Sequence, residues 1–223
     1  MTPNDTASPA AAAASLQPTR PADAGSSRAQ LVAAATDLFY RSGVRAVSVE
    51  HIVAAANTTK MTLYRYFRAK DDLVVACVSA DGDRIDHELT EIIAAAGPNP
   101  ADGVRAIVRR YAKMLAAPPA RGLLAINAAI EFPDAAHPVR EAARLAAQNL
   151  QGRLHAMICE VAPDRAEAMS ARLVLMILGA CTACQVLDGA FATRALIETT
   201  EALLANEGLD GPFDAPPPGV VWV

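Results

Sequence analysis

The stretch Ser48-Val49-Glu50-His51-Ile52-Val53-Ala54-Ala55-Ala56-Asn57-Thr58-Thr59-Lys60-Met61-Thr62-Leu63-Tyr64-Arg65-Tyr66-Phe67-Arg68-Ala69-Lys70 decides the fold. Its first half predicts a short helix capped by Ser48 that buries Val49, Ile52, Val53 and Ala56. The helix must stop near Asn57, because asparagine is among the few non-glycine residues that enter the left-handed region. Thr58 or Thr59 then caps a second short helix whose inward pair is Leu63 and Phe67. Two short helices, about four residues of turn and a basic exposed face are the parts of a helix-turn-helix. The second helix turns Thr59, Lys60, Thr62, Arg65 and Tyr66 outward. Lysine and arginine neutralise phosphates and reach guanine edges, and threonine offers a hydroxyl to phosphate and a methyl to thymine. Tyr64 and Tyr66 can give their hydroxyls to phosphate while their rings pack.

Upstream, Ser27-Arg28-Ala29-Gln30 has the form of a capping box and predicts a helix start at Ser27. Leu31, Ala34, Ala35, Leu38 and Phe39 then share one helix face, and Gly43 stands where a C-terminal cap wants positive φ. Downstream, Asp71 and Asp72 open a fourth helix with charge that suits its positive end. Helical runs follow over 73–96, 101–117, 121–132, 138–161, 165–188 and 192–206, each closed by Gly or Pro. No segment alternates with period two over a strand's length, and no repeat is visible. The expected architecture is all-α. Residues 1–26 form a disordered arm, 27–72 a three-helix DNA-binding domain, 73–208 a body of about six helices, and 209–223 an irregular tail.

The net charge of −4 argues on its face against a nucleic-acid partner, but it is unevenly spread. Residues 1–70 carry eight Lys/Arg against four Asp/Glu; residues 71–223 carry twelve against twenty. Between 41 and 70 stand six cations and one acid, Glu50. A basic module on an acidic body follows. The four cysteines make no disulfide framework. No secretory signal is visible, and the longest uncharged apolar run, 173–187, falls short of the ~20 residues of a membrane span. A cytoplasmic protein with no membrane partner is expected.

The segment 48–73, together with Ala34-Ala35-Thr36-Asp37-Leu38-Phe39 and Gly43, resembles the signature of TetR-family repressors, with Thr62-Leu63-Tyr64-x-x-Phe67-x-x-Lys70 as its core. The family carries glycine where Asn57 stands and often at Met61. The resemblance implies an all-helical homodimer with an N-terminal DNA-binding domain and a C-terminal domain for a small molecule. It makes Ser48 and Thr59 cap residues placed to contact phosphate. Lys60, Met61 and Thr62 become candidates for base edges. Tyr64, Tyr66 and Lys70 become phosphate anchors, and Arg65 can serve either role. The partners implied are a double-stranded palindromic operator, a small, largely apolar ligand and a second copy of the chain. No cofactor is implied.

Weaker constellations lie in the body. Cys181-Thr182-Ala183-Cys184 has the spacing of a metal or redox site, yet it sits inside an apolar helix, so core packing is the expectation. Asp81, Asp83, Asp86, His87, Glu88 and Glu91 crowd one helix and read as a solvated charged face. Asn127, Gln148, His155 and Gln185 are polar residues on otherwise apolar helices and are candidate ligand contacts. Met169, Leu173, Ile177, Ala180, Cys184 and Leu187, with Leu196 and Leu203, form stripes that suit either a four-helix dimer seam or an intrachain core. The family resemblance favours the seam. An enzyme would need a nucleophile–base pair, metal set or phosphate loop, none of which is apparent. A helical small-molecule-binding protein or enzyme, with a basic segment that does not bind DNA specifically, stays open as the alternative.

Overall fold

The computed structural model describes residues 21–118 and 120–209, with side chains from Ser27 onward. The expected arm up to residue 20 and the tail beyond 209 lie outside the described residues. Nine α-helices and no strand occur among them: α1 Pro21–Ser42, α2 Val49–Ala55, α3 Lys60–Tyr66, α4 Lys70–Ala96, α5 Pro100–Ala116, α6 Leu124–Glu131, α7 Pro138–Cys159, α8 Ala166–Val186 and α9 Gly189–Asn206. The all-α expectation is met. One boundary is corrected: α1 begins at Pro21 rather than at Ser27, so the Ser27–Gln30 signature lies inside a helix. Proline is well suited to a first helical turn, where its missing N–H is no loss, and alanines carry the helix onward.

The first three helices and the start of α4 share one core. Leu31, Phe39, Ile52, Leu63, Leu73 and Val74 are all fully buried in it. This core does not close on itself. Leu124 and Ala128 of α6 and Val139 of α7 complete it. α4 is the common strut, carrying Leu73, Val74, Cys77 and Val78 into the first core and Leu89 into the second.

The body's own core is gathered from α5, α7, α8 and α9. Ion pairs bind its helices from outside: Arg105 to Glu201 (α5–α9, 3.0 Å), Arg110 to Glu88 (α5–α4, 2.9 Å) and Arg153 to Asp86 (α7–α4). Gly122, at φ +67, lets the chain enter α6 against the Cys181 carbonyl, where an added Cβ would stand 2.2 Å away.

The helix expected to make the dimer seam is instead the centre of the body. Met169, Leu173 and Ile177 are completely buried in the chain's own core, with Ala180, Cys184 and Leu196 nearly so. Leu203 packs partly against the same cluster, and Leu187 alone of the set is well exposed, at 61%. Of the two readings the stripe allows, the intrachain core is the one the structure has. Periodicity says which side of a helix avoids water, and α5, α7 and α9 take that side first. The run Pro163–Val186 is long and apolar enough to cross a membrane by length and composition. Its packing against those three helices makes it a core helix.

Candidate functional site

The turn between α2 and α3 is built as its sequence requires. Asn57 adopts φ 48. The Thr58 amide donates to Val53 O at 2.9 Å and the Asn57 amide to Ala54 O at 3.2 Å, the paired bonds that close a helix through a left-handed residue. Ser48 caps α2 by accepting from the His51 amide, and Thr59 caps α3 by accepting from the Thr62 amide, both at 3.2 Å. Each cap satisfies a backbone donor that a short helix cannot.

α3 is pinned through Leu63 and Phe67, at 0% and 3% exposure. Its opposite side faces water. Thr59, Lys60, Met61, Tyr64 and Arg65 are exposed and Thr62 is half-buried; Met61, at 80%, is the most open large apolar side chain among the described residues. Lys60 pairs with Glu50 of α2. That contact holds the Glu50 carboxyl down at about 2 and raises the Lys60 ammonium, so both stay charged at neutral pH. Arg65 lies over the Tyr66 ring at 4.8 Å and donates to its hydroxyl at 2.8 Å. Tyr66 is therefore half-buried against the first core rather than turned fully outward.

Lys70, expected as a phosphate anchor, is turned toward its own chain. Its ammonium lies over the Phe39 ring at 5.8 Å and donates to the Val44 carbonyl, and partial burial lowers its pKa. It fastens the α1–α2 turn. The signal was present in the sequence only as a lysine at the head of α4, where an inward course is as open to a long side chain as an outward one.

Two cavities flank α4. One of about 340 Å³ lies between α4, α6 and α7, walled by Ile85, Ile126, Ala129, Ala147 and Leu150, with Tyr111 beneath. Burial pushes the Tyr111 hydroxyl up to about 12, so it stays a neutral phenol. Asp86 on the wall is already neutralised by Arg153. The other, about 960 Å³, is an open cleft between α1, α4 and α5, lined by Val32, Tyr40, Arg84, Arg110 and Met114.

None of the four polar residues expected to meet a ligand lines either cavity. Asn127 donates to Arg121 O at 2.7 Å and accepts from Gln185 at 3.0 Å, so this pair ties α6 to α8. Gln148 is exposed, and His155 lies 3.9 Å from Glu167 on the surface. A polar residue on an apolar helix marks a hydrogen bond to be made, and here helix neighbours make it. The apolar part of the smaller cavity's wall is mostly alanines and isoleucines, which carry no chemical signal of their own; Asp81 and Asp86 of α4 and Arg140, Arg144 and Asn149 of α7 also line it.

The remaining clusters read as structure. Cys181 is fully buried, its thiol pushed up to about 12 by burial, and Cys184 donates to the Cys181 carbonyl at 3.2 Å. A thiol held protonated is a poor nucleophile. On α4, Asp81 pairs with Arg84, Asp86 with Arg153, Glu88 with Arg110, and His87 lies 3.6 Å from Glu91. No group of three or more metal-ligating side chains stands together among the described residues.

A capped pair of short helices across a left-handed turn, its second member offering polar and basic side chains on a rigid base, defines a helix-turn-helix DNA-binding protein. Residues 31–77 match the family model described as bacterial regulatory proteins, tetR family. A crystallised TetR-family transcriptional regulator from Streptomyces coelicolor is 30% identical over 82% of this chain and 96% of its own, with a TM-score of 0.72. The chain belongs to the TetR family of transcriptional regulators. The same fold recurs at lower identity in reduced NemR from E. coli (18%, TM-score 0.70, covering 80% of this chain and 95% of that one). Regulatory protein TetR from Rhodobacter sphaeroides is similar (20%, TM-score 0.69, covering 79% and 98%). A comparison with curated protein sequences finds no match.

Proposed function

We propose that this regulator is a repressor that binds a palindromic operator as a homodimer and leaves it when a small, largely apolar molecule occupies its body. The observation that carries the reading is the juxtaposition of two features in one chain. α3 presents Thr59, Lys60, Met61, Thr62 and Tyr64 from a pinned base, and a largely apolar cavity lies between α4, α6 and α7. Lys60, Met61 and Thr62 read base edges. Ser48, Thr59, Tyr64 and Arg65 set the register on phosphate. Two copies of α3 would enter successive major grooves ~34–36 Å apart.

A second copy would dock on the outward face of α8 and α9, where Leu175, Val186 and Phe191 stand exposed and Met176, Ala183 and Ala195 are half-buried between them. The ligand acts by binding one body geometry better than the other, since only differential affinity moves such an equilibrium. The cavity offers binding surface and a neutral phenol but no nucleophile–base pair, which favours a sensor over a catalyst. A sensor of this kind works in the cytoplasm, with the DNA. The test is a titration of the protein against DNA upstream of its own gene and against scrambled DNA at fixed salt. Preference of at least about a hundredfold for one palindromic segment is expected. Equal affinity for all sequences would overturn the reading.

A further inference from the structure

Glu131 is the last residue of α6, and its carboxylate belongs to the DNA-binding domain. Oε1 accepts from the Val44 amide at 2.6 Å and Oε2 from the Arg45 amide at 2.7 Å. The Arg45 guanidinium returns a bond of 2.8 Å to the Glu131 carbonyl. The receiving backbone is concave because Gly43 sits at φ +83, which turns the next two amides the same way, a small anion-binding nest. A Cβ at 43 would stand 3.0 Å from Glu131 Oε1 in addition to being strained. Lys70 holds the same peptide from the other side through the Val44 carbonyl. The α1–α2 turn is thus clamped between the end of α6 and the head of α4.

The flank of α6 is a wall of the smaller cavity, to which it contributes Ala125, Ile126, Ala129 and Ile130. One eight-residue helix therefore carries the cavity on its side and the clamp at its end. Its middle is tied to α8 through Asn127 and Gln185, so a push on the C-terminal half, where Ala129 and Ile130 line the cavity, bears on Glu131. Charge-assisted bonds of 2.6–2.7 Å do not survive a withdrawal of ~1 Å, because that carries donor and acceptor to about 3.6–3.7 Å, beyond hydrogen-bond range.

We propose that Glu131 is the coupling residue of this regulator: filling the α4–α6–α7 cavity shifts α6, withdraws the carboxylate from the Val44 and Arg45 amides, and frees the DNA-binding domain to turn against the body. The idea rests on the ligand-released reading above. Its prediction is directional: the latched state is the one competent for DNA.

The test uses the full chain and a side chain in place of the ligand. Ala147→Phe fills the cavity from α7, and Ala147→Met serves where the larger ring prevents cooperative melting. Glu131→Gln keeps the volume but sets an NH2 group against the backbone donors. Each change alone should lower operator affinity about tenfold and accelerate amide exchange at Val44 and Arg45, with helicity retained. The double variant should bind no worse than Glu131→Gln alone, because a latch already open cannot be opened again. Multiplying losses, or slow exchange at both amides in the filled variant, overturns the proposal. Wild-type protein without operator preference would overturn the functional reading instead, and the exchange measurement would still decide whether cavity and turn are coupled.

Discussion

Glu50 of α2 and Lys60 of α3 form an ion pair across the turn, on the exposed side of the helix-turn-helix. The lysine best placed to read a base is therefore held by the one acid in the basic stretch. With the Glu50 carboxyl at about 2, the pair is fully charged across the working pH range and would weaken only as pH falls toward that value. Both partners are exposed, so the pair is a matter of placement more than stability. Glu50→Gln should raise affinity for operator and random DNA several-fold at low salt, by removing an acid near phosphate, and the gain should fade at high salt. Lys60→Ala should cost ~1–3 kcal/mol on operator if the lysine reads a base. Anisotropy titrations at two salt concentrations check both, and unchanged affinity in Lys60→Ala would remove it from the interface.

Met61 and Tyr64 are neighbours on α3 with opposite expected roles. Met61, 80% exposed, can bury its chain against thymine methyls, whereas the Tyr64 hydroxyl suits phosphate. Met61→Ala should weaken operator binding while leaving random DNA untouched, narrowing the specificity ratio. Tyr64→Phe should lower both affinities alike. Competition against scrambled DNA separates the two, and the reverse pattern would exchange their roles.

How much of this was legible in the sequence follows from the range of the forces involved. Ser48, Asn57, Thr59, Leu63 and Phe67 announced their places because caps, a left-handed turn and a two-residue buried stripe are decided within a few residues. The stripe from Met169 to Cys184 was equally visible as a buried face, but its partner was not, since that depends on helices far off in sequence. Lys70 and Glu131 were illegible for the same reason. Their bonds to Val44 span 26 and 87 residues. Asn127 and Gln185, apparently idle polar groups, bond to each other over 58. The cavity has no local signature, because the small and branched aliphatic side chains and the few polar ones that line it come from α4, α6 and α7 and are brought together only by packing.

The ion pairs of α4 make stability depend on acid. Arg153 holds Asp86 below its ordinary 3.8, and Arg110 holds Glu88 below its ordinary 4.5. Both carboxyls have depressed folded values, so their contribution is present above those ordinary values and is lost as pH falls through the folded ones. The melting temperature should be flat from pH 7 to about 5 and fall below about 4. Asp86→Asn and Glu88→Gln together should lower it at pH 7 and make the acid limb shallower. A double variant with an unchanged acid limb would show that other carboxylates set the dependence.

The face proposed for docking a second copy can be told from the core by comparing two positions of α8. Leu175 is 70% exposed, and Leu175, Gly179, Ala183 and Val186 follow one another at i, i+4, i+8 and i+11 along the outward side. Leu175→Glu on a lone protomer is a surface change, worth within about ±0.5 kcal/mol. In a seam it sets two charges into an apolar contact, at a cost of several kcal/mol. The variant should therefore sediment as a monomer, keep its helicity and cooperative melting, and lose most operator affinity, because one recognition helix makes too few contacts alone. Ile177, two residues on, is fully buried in the protomer's own core. Ile177→Asp should instead lose cooperative melting outright, with no folded monomer to recover. If Leu175→Glu remains a dimer while binding DNA normally, the outward face of α8 is not the seam. If wild-type protein sediments as a monomer at micromolar concentration, the homodimer and the palindromic operator fall together.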